Sequence, residues 1–292
     1  MNRRQFLALL AALGLLSLQS ALRADQTHIK DVVYHHKLGV ALTMDVFQPE
    51  KPNGIGILWM VSGGWVSNHD NINPDLAKPF TSRGMTVFQI VHGSQPKFTL
   101  PEIVQDIHRA VRFVRTNAAL WGVNPDKLGI CGGSAGGHLS LMMGAYGAPG
   151  PADAKDPVDR ASSRVQAIAC LFPPTDFLNY GKEGQPAMKI PMLRVFWPAF
   201  GVTDKTPEEE LERLGRSLSP IYGDLKNMPP TLIIHGDADT LVPIQQSQRL
   251  IAKLQEVGVP CRLEVRPGKG HGWPGIESEA TVLADWFEKY LK

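Results

Sequence analysis

The chain has 292 residues, 43% hydrophobic and 20% charged, with a formal charge of +2. This composition excludes a disordered, low-complexity or repeat-built chain and suits one large α/β domain or two small ones. Setting aside Arg3, Arg4 and Arg23 of the leader leaves 27 basic against 28 acidic residues, so a nucleic-acid footprint is not expected.

Residues 1–24 open with Asn2-Arg3-Arg4-Gln5-Phe6-Leu7, and an apolar run follows to Leu18. The run is too short to span a bilayer as a stable helix, and the charged start marks an export signal. Adjacent arginines followed by Gln-Phe-Leu match the twin-arginine pattern. Cleavage is expected after Ala24, which places the mature protein, 25–292, in the periplasm or outside the cell with no stable membrane span.

Residues 31–37 and 41–47 alternate around Leu38-Gly39 and predict an antiparallel hairpin. Residues 56–61 form a buried strand ending in Ser62-Gly63-Gly64-Trp65. A short helix over 74–83, closed by Gly84, precedes a strand at 86–91. Pro101 opens a long helix to about Leu120, with Ile103, Ile107, Ala110, Val111 and Val114 on one face. A Pro/Ala/Asp-rich loop covers 148–163, and a strand follows at 165–172. In that loop Asp153, Asp156 and Asp159 read as a solvated turn, not a calcium site.

The β–α alternation breaks over 173–228, a Pro-rich insertion that we expect to lie over the strand ends as a small lid. Within it, Thr206-Pro207-Glu208-Glu209 predicts a capping box and a helix to Leu214. Alternation resumes with a strand at 231–235, a helix at 243–257, a strand at 261–266 and a terminal helix at 276–291. The pattern predicts a mostly parallel sheet with an N-terminal antiparallel hairpin and helices on both faces. Three cysteines, Cys131, Cys170 and Cys261, read as buried free thiols. No Cys/His cluster has metal-ligand spacing, and neither metal nor cofactor is expected.

Between the long helix and that loop lies the most informative stretch. Residues 127–139 read Lys-Leu-Gly-Ile-Cys-Gly-Gly-Ser-Ala-Gly-Gly-His-Leu, a G-x-S-x-G turn between an apolar run and a helix-forming one. A nucleophilic serine needs so tight a turn, and Gly132 and Gly136 remove the Cβ atoms that would clash there. The helix start beyond Ser134 directs N–H groups at the same spot.

Reactive groups in parallel sheets gather in loops at the carboxyl ends of strands. After the strand at 231–235 come Asp237 and Asp239, and after the last strand comes His271 between two glycines. A serine hydroxyl needs an imidazole base, and the imidazole needs a carboxylate to fix its tautomer. Either aspartate could serve, though Asp237 could instead cap its own loop. An oxyanion would require two N–H donors, one from Ala135 and one from the loop containing Gly63 and Gly64. His138, one turn past Ser134, reads as a packing or hydrogen-bonding residue. Trp65, His92 and Trp273 near strand ends are the substrate-binding candidates, with Trp197 of the insertion and Ser94; the alternatives are core packing for the tryptophans and loop capping for His92 and Ser94.

Gly-Gly-Ser134-Ala-Gly-Gly-His, His235-Gly-Asp-Ala-Asp239-Thr-Leu-Val-Pro and Gly-His271-Gly, in that order, resemble the α/β-hydrolases of the hormone-sensitive-lipase-like and bacterial feruloyl/acetyl-xylan-esterase-like groups. The resemblance covers residues 32–291. It implies Ser134 as nucleophile, Asp239 as acid, His271 as base, and Gly63, Gly64 and Ala135 as oxyanion donors. Two departures stand out. The family's His-Gly-Gly-Gly-Trp loop is here Val61-Ser62-Gly63-Gly64-Trp65, which leaves its support open. The usual Tyr-Arg-Leu-Ala-Pro-Glu segment is replaced by Val91-His92-Gly93-Ser94-Gln95-Pro96.

The implied function is an exported serine carboxylesterase acting on a small-molecule or carbohydrate-linked ester, with acetyl or feruloyl groups favoured. A peptidase resembling the prolyl oligopeptidases would carry an upstream β-propeller, whereas only a hairpin precedes the core here. A non-catalytic binding module would have no need of serine, aspartate and histidine together.

Overall fold

Eight strands form a single sheet in the computed structural model, which describes residues 26–292. They are β1 (Gln26–Lys37), β2 (Val40–Pro49), β3 (Gly54–Met60), β4 (Thr86–Ile90), β5 (Val123–Gly133), β6 (Ala167–Leu171), β7 (Thr231–Gly236) and β8 (Cys261–Arg266). The spatial order is β1-β2-β4-β3-β5-β6-β7-β8. The β1–β2 and β2–β4 pairs are antiparallel and every other pair is parallel. The hairpin is longer than its alternation predicted, because β1 keeps pairing with β2 back to Gln26 despite two register shifts. The signal reading of residues 1–24 lies outside the described residues.

The helices are α1 (Pro74–Thr81), α2 (Leu100–Thr116), α3 (Ala135–Tyr146), α4 (Pro157–Arg160), α5 (Trp197–Phe200), α6 (Glu208–Ser217), α7 (Gln245–Glu256) and α8 (Glu279–Leu291). Two apolar clusters sandwich the sheet. One joins α2, α3, α7 and the insertion to one face, and the other packs α1 and α8 on the opposite face. Central strands are therefore buried on both sides, and β4 and β6 are buried at every position. None of the helices among the described residues is long and apolar enough to cross a membrane.

Cys131 and Cys170 sit on neighbouring strands but one step out of register, with Cys131 opposite Ala169 and Cys170 opposite Gly132. Alternation then sends the two thiols to opposite faces, and both remain free.

Some local expectations change. The helix expected to continue to Leu120 ends at Thr116, and Ala118–Trp121 tightens into a 3-10 turn closed by Gly122 at φ +63°. Its start is capped by a pair the sequence reading missed, Thr99 donating from its N–H and hydroxyl to the Glu102 carboxylate at 2.7 and 2.8 Å. The expected capping box at Thr206 does not form. Its hydroxyl accepts instead from the Thr203 N–H at 2.9 Å, and α6 starts one residue after Pro207. In the 148–163 loop, Asp156 caps α4 and pairs with Arg109 at 2.8 Å, and Asp159 pairs with the same guanidinium at 3.0 Å.

Candidate active site

β5 runs directly into Ser134, the N-cap residue just before α3. Its backbone is bent to φ +51°, ψ −118°, a conformation non-glycine residues rarely adopt. The two flanking glycines make this turn possible. A Cβ on Gly132 would lie 2.7 Å from the Gly136 carbonyl carbon, and one on Gly136 would lie 2.8 Å from the Met60 carbonyl oxygen. Strain of this kind costs about 1–3 kcal/mol and persists only where packing over-determines it. Here the Ser134 N–H donates to Leu171 of β6 at 2.9 Å, and its carbonyl accepts from His138 in the first turn of α3.

The loops after β7 and β8 meet this turn. The Ser134 hydroxyl reaches His271 Nε2 at 2.8 Å, and His271 Nδ1 reaches Asp239 Oδ2 at 2.7 Å. The other oxygen of Asp239 accepts the N–H groups of Leu241 and Val242 at 3.0 and 2.9 Å. Burial by itself would raise the Asp239 carboxyl, but hydrogen bonds from His235, His271 and the Val242 N–H outweigh it and hold the group well below the usual carboxylate range. The Asp239 carboxylate can only accept, so Nδ1 carries the ring proton and donates it, and Nε2 is free to accept from Ser134.

Asp237 takes a different part. It is exposed, and its carboxylate accepts the Gly268 N–H at 2.6 Å, tying together the two loops that carry Asp239 and His271. His235, which the sequence reading left unassigned, is fully buried. Its Nε2 lies 2.8 Å from the Val242 carbonyl and 3.2 Å from Asp239 Oδ2, and its Nδ1 lies 2.6 Å from the Ser247 hydroxyl. Its only sequence signal is its place four residues before Asp239.

Of the three amide donors expected, Gly63 is excluded in this arrangement, because its N–H donates to the Val66 carbonyl at 3.0 Å. The N–H groups of Gly64 and Ala135 have no protein acceptor among the described residues, and both residues line a cavity beside Ser134.

Two of the substrate-binding candidates also move. His92 does not line the cleft. It is buried behind it, with Nε2 2.8 Å from the Ser62 hydroxyl and Nδ1 2.6 Å from the Gly93 carbonyl. Burial, only partly opposed by that carbonyl contact, lowers its imidazole to about 4. Trp273 packs edge-on against Phe172 at 5.9 Å, and it is Phe172 whose ring meets His271 at 4.6 Å. Phe172 thus stands between Trp273 and the cleft. Trp65 does face the site and lines the cavity at φ +60°. His138 is fully buried; it accepts from Trp65 Nε1 at 3.3 Å and donates from Nε2 to the Leu218 carbonyl at 2.7 Å.

Two spaces flank Ser134. The first is a narrow apolar cavity of about 30 Å³, bounded by Gly64, Trp65 and Ala135 and lined from the insertion by Phe177, Phe196 and Trp197. The second is an open cleft of about 480 Å³ that includes Ser62, Asn71, Phe172 and His271. Phe196 borders both. The insertion holds its position through buried Asp176, which accepts from Tyr222 at 3.0 Å and pairs with Arg249 of α7 at 3.1 Å. Gln246 of α7 adds a bond to the Asp176 N–H at 2.8 Å.

A "Probable carboxylic ester hydrolase LipM" from Mycobacterium tuberculosis is 27% identical over 238 residues, 80% of this chain and 53% of that protein. An "Acetylxylan esterase" from Xylanibacter ruminicola is 28% identical over 287 residues, 94% of this chain and 51% of that protein. The chain therefore spans about half the length of these curated relatives. Among solved structures, a "Truncated form of carbohydrate esterase from gut microbiota" superposes with a TM-score of 0.78 at 27% identity, covering 92% of this chain and 98% of that one. The BD-FAE family profile matches residues 44–254, well over half of the sequence, and the chain belongs to that family, with an α/β-hydrolase fold.

Proposed function

We propose that this chain is a serine carboxylesterase that releases short acyl groups from a bulky, polar alcohol such as a carbohydrate. The observation that carries the reading is the continuous hydrogen-bonded relay from Ser134 through His271 to Asp239. In the proposed cycle the Ser134 oxygen attacks the ester carbonyl while His271 Nε2 takes its proton. The oxyanion rests on the Gly64 and Ala135 N–H groups, and Asp239 stabilises the imidazolium. His271 then returns the proton to the departing alcohol oxygen, and water attacks the acyl-serine by the same route.

Proton return assigns the two spaces. The leaving oxygen must reach His271, so the alcohol occupies the wide cleft that His271 lines. The acyl chain takes the narrow apolar cavity, whose volume of about 30 Å³ suits a short group. The relatives named for acetylxylan and carbohydrate esters support the same substrate class. Export through the leader at residues 1–24 belongs to this proposal, and N-terminal sequencing of exported protein beginning at Asp25 is its expected outcome.

The test is hydrolysis of p-nitrophenyl esters from acetate to decanoate, with acetylated xylo-oligosaccharides in parallel. Short chains should turn over fastest, and Ser134→Ala should lower kcat by more than about 10³-fold. Activity that survives the substitution, or a preference for long acyl chains, would overturn the proposal.

A further inference from the structure

The loop at 61–67 carries the Gly64 amide, and Gly64 and Trp65 follow one another at φ +56° and +60°, a region open to the glycine but costly for the tryptophan. A non-glycine residue held at positive φ persists only when its surroundings over-determine it. The segment following β4 supplies that restraint. Gln95 donates from Nε2 to the Gly64 carbonyl at 3.0 Å and from its N–H to the Trp65 carbonyl at 3.2 Å. The Ser94 hydroxyl accepts the Ser67 N–H at 2.8 Å and donates to the Ser67 carbonyl at 2.9 Å. At the start of the loop the Ser62 hydroxyl meets His92 Nε2 at 2.8 Å.

The protonation of this pair follows from its far end. His92 Nδ1 lies 2.6 Å from the Gly93 carbonyl, which can only accept, so Nδ1 carries the ring proton. Nε2 is then unprotonated and accepts a hydrogen bond from the Ser62 hydroxyl. His92 is only 3% exposed and borders neither space beside Ser134, so it has no direct route to substrate.

We infer that His92 is a positioning residue for the reaction: by accepting from Ser62 it fixes the direction in which the Gly63–Gly64 peptide presents its N–H beside Ser134. The inference rests on the ester-hydrolase reading above. It also supplies the support that Val61-Ser62, in place of His-Gly, left open. The imidazole comes across from the neighbouring strand instead of from the loop itself.

The experiment measures kcat and KM on p-nitrophenyl acetate, thermal melting and inhibition by phenylboronic acid, a tetrahedral mimic. It uses His92→Phe, His92→Gln, Ser62→Ala and the double variant His92→Phe/Ser62→Ala. His92→Phe and Ser62→Ala should each lower kcat about 10- to 100-fold with KM nearly unchanged, and weaken boronate binding in proportion. The double variant should be no worse than the poorer single, because both remove one hydrogen bond. Glutamine, whose amide oxygen can accept from Ser62, should restore most of the rate. If His92→Phe fails to fold, Ser62→Ala still decides the matter.

Unchanged kcat in Ser62→Ala would overturn the inference, as would a loss that tracks melting and is not rescued by glutamine. Wild-type protein inert towards every ester would overturn the hydrolase reading, and this inference with it. An active wild type with indifferent variants would overturn this inference alone.

Discussion

Ser134 and His271 stand 137 positions apart in the chain, yet the serine hydroxyl lies 2.8 Å from the imidazole Nε2. The contact depends on a backbone at φ +51° that only the tight join of β5 to α3 imposes. Ser134→Ala keeps this strain and Ser134→Gly relieves it. Both variants should lose activity, with the glycine form more stable to denaturant by about 1 kcal/mol. Equal stabilities would show that the bend stores no strain.

The two aspartates after β7 separate cleanly by partner. Asp239 accepts from the His271 ring, whereas Asp237 accepts from the Gly268 backbone. Asp239→Asn should lower kcat by about 10³- to 10⁴-fold by favouring the wrong imidazole tautomer. Asp237→Asn should cost about 1 kcal/mol of stability at most and leave kcat within about threefold. A reversed ranking in steady-state assays would assign the acid role to Asp237.

Acid stability should decline earlier than carboxylate protonation alone would require. Burial lowers His92, His108 and His138 from the ordinary 6.5 to about 4 each. Between those values the unfolded chain binds protons that the folded chain refuses, so stability rises with pH through this window. The histidine contribution is complete above about 6.5 and is lost as pH falls towards 4. Asp239, held low in the fold, adds a loss below the ordinary carboxylate range. Denaturation midpoints measured from pH 7 to pH 4 should fall, and His138→Gln should make the slope shallower. A flat profile over that range would contradict the burial argument.

Phe196 and Leu241 line both the narrow cavity and the open cleft, and Phe196 packs edge-on against Trp65 at 5.7 Å. Phe196→Ala should join the two spaces and shift preference from acetate towards hexanoate or octanoate esters by about tenfold or more. The half-buried ring also implies a stability loss of about 1–3 kcal/mol. An unchanged chain-length profile would place the acyl group elsewhere.

The residues around Ser134 were legible because their constraint is local: a strand, two glycines and a helix start are neighbours in the chain, and sterics alone require the small residues. The hydrophobic periods that place β3 to β8 and their covering helices were legible for the same reason. Partner choice was not. Gly63 and Gly64 look equivalent in sequence, yet the Val66 carbonyl claims one N–H and leaves the other free. His92 and Trp273 look like pocket residues, but one turns behind the loop to Ser62 and the other stands behind Phe172. The order of residues thus determined the sheet, the elbow and the three side chains of the hydrogen-bonded relay. Which hydrogen bonds each group makes was settled only when the folded loops came together, some three positions apart and some 137, because a donor's acceptor is a property of space and not of the chain.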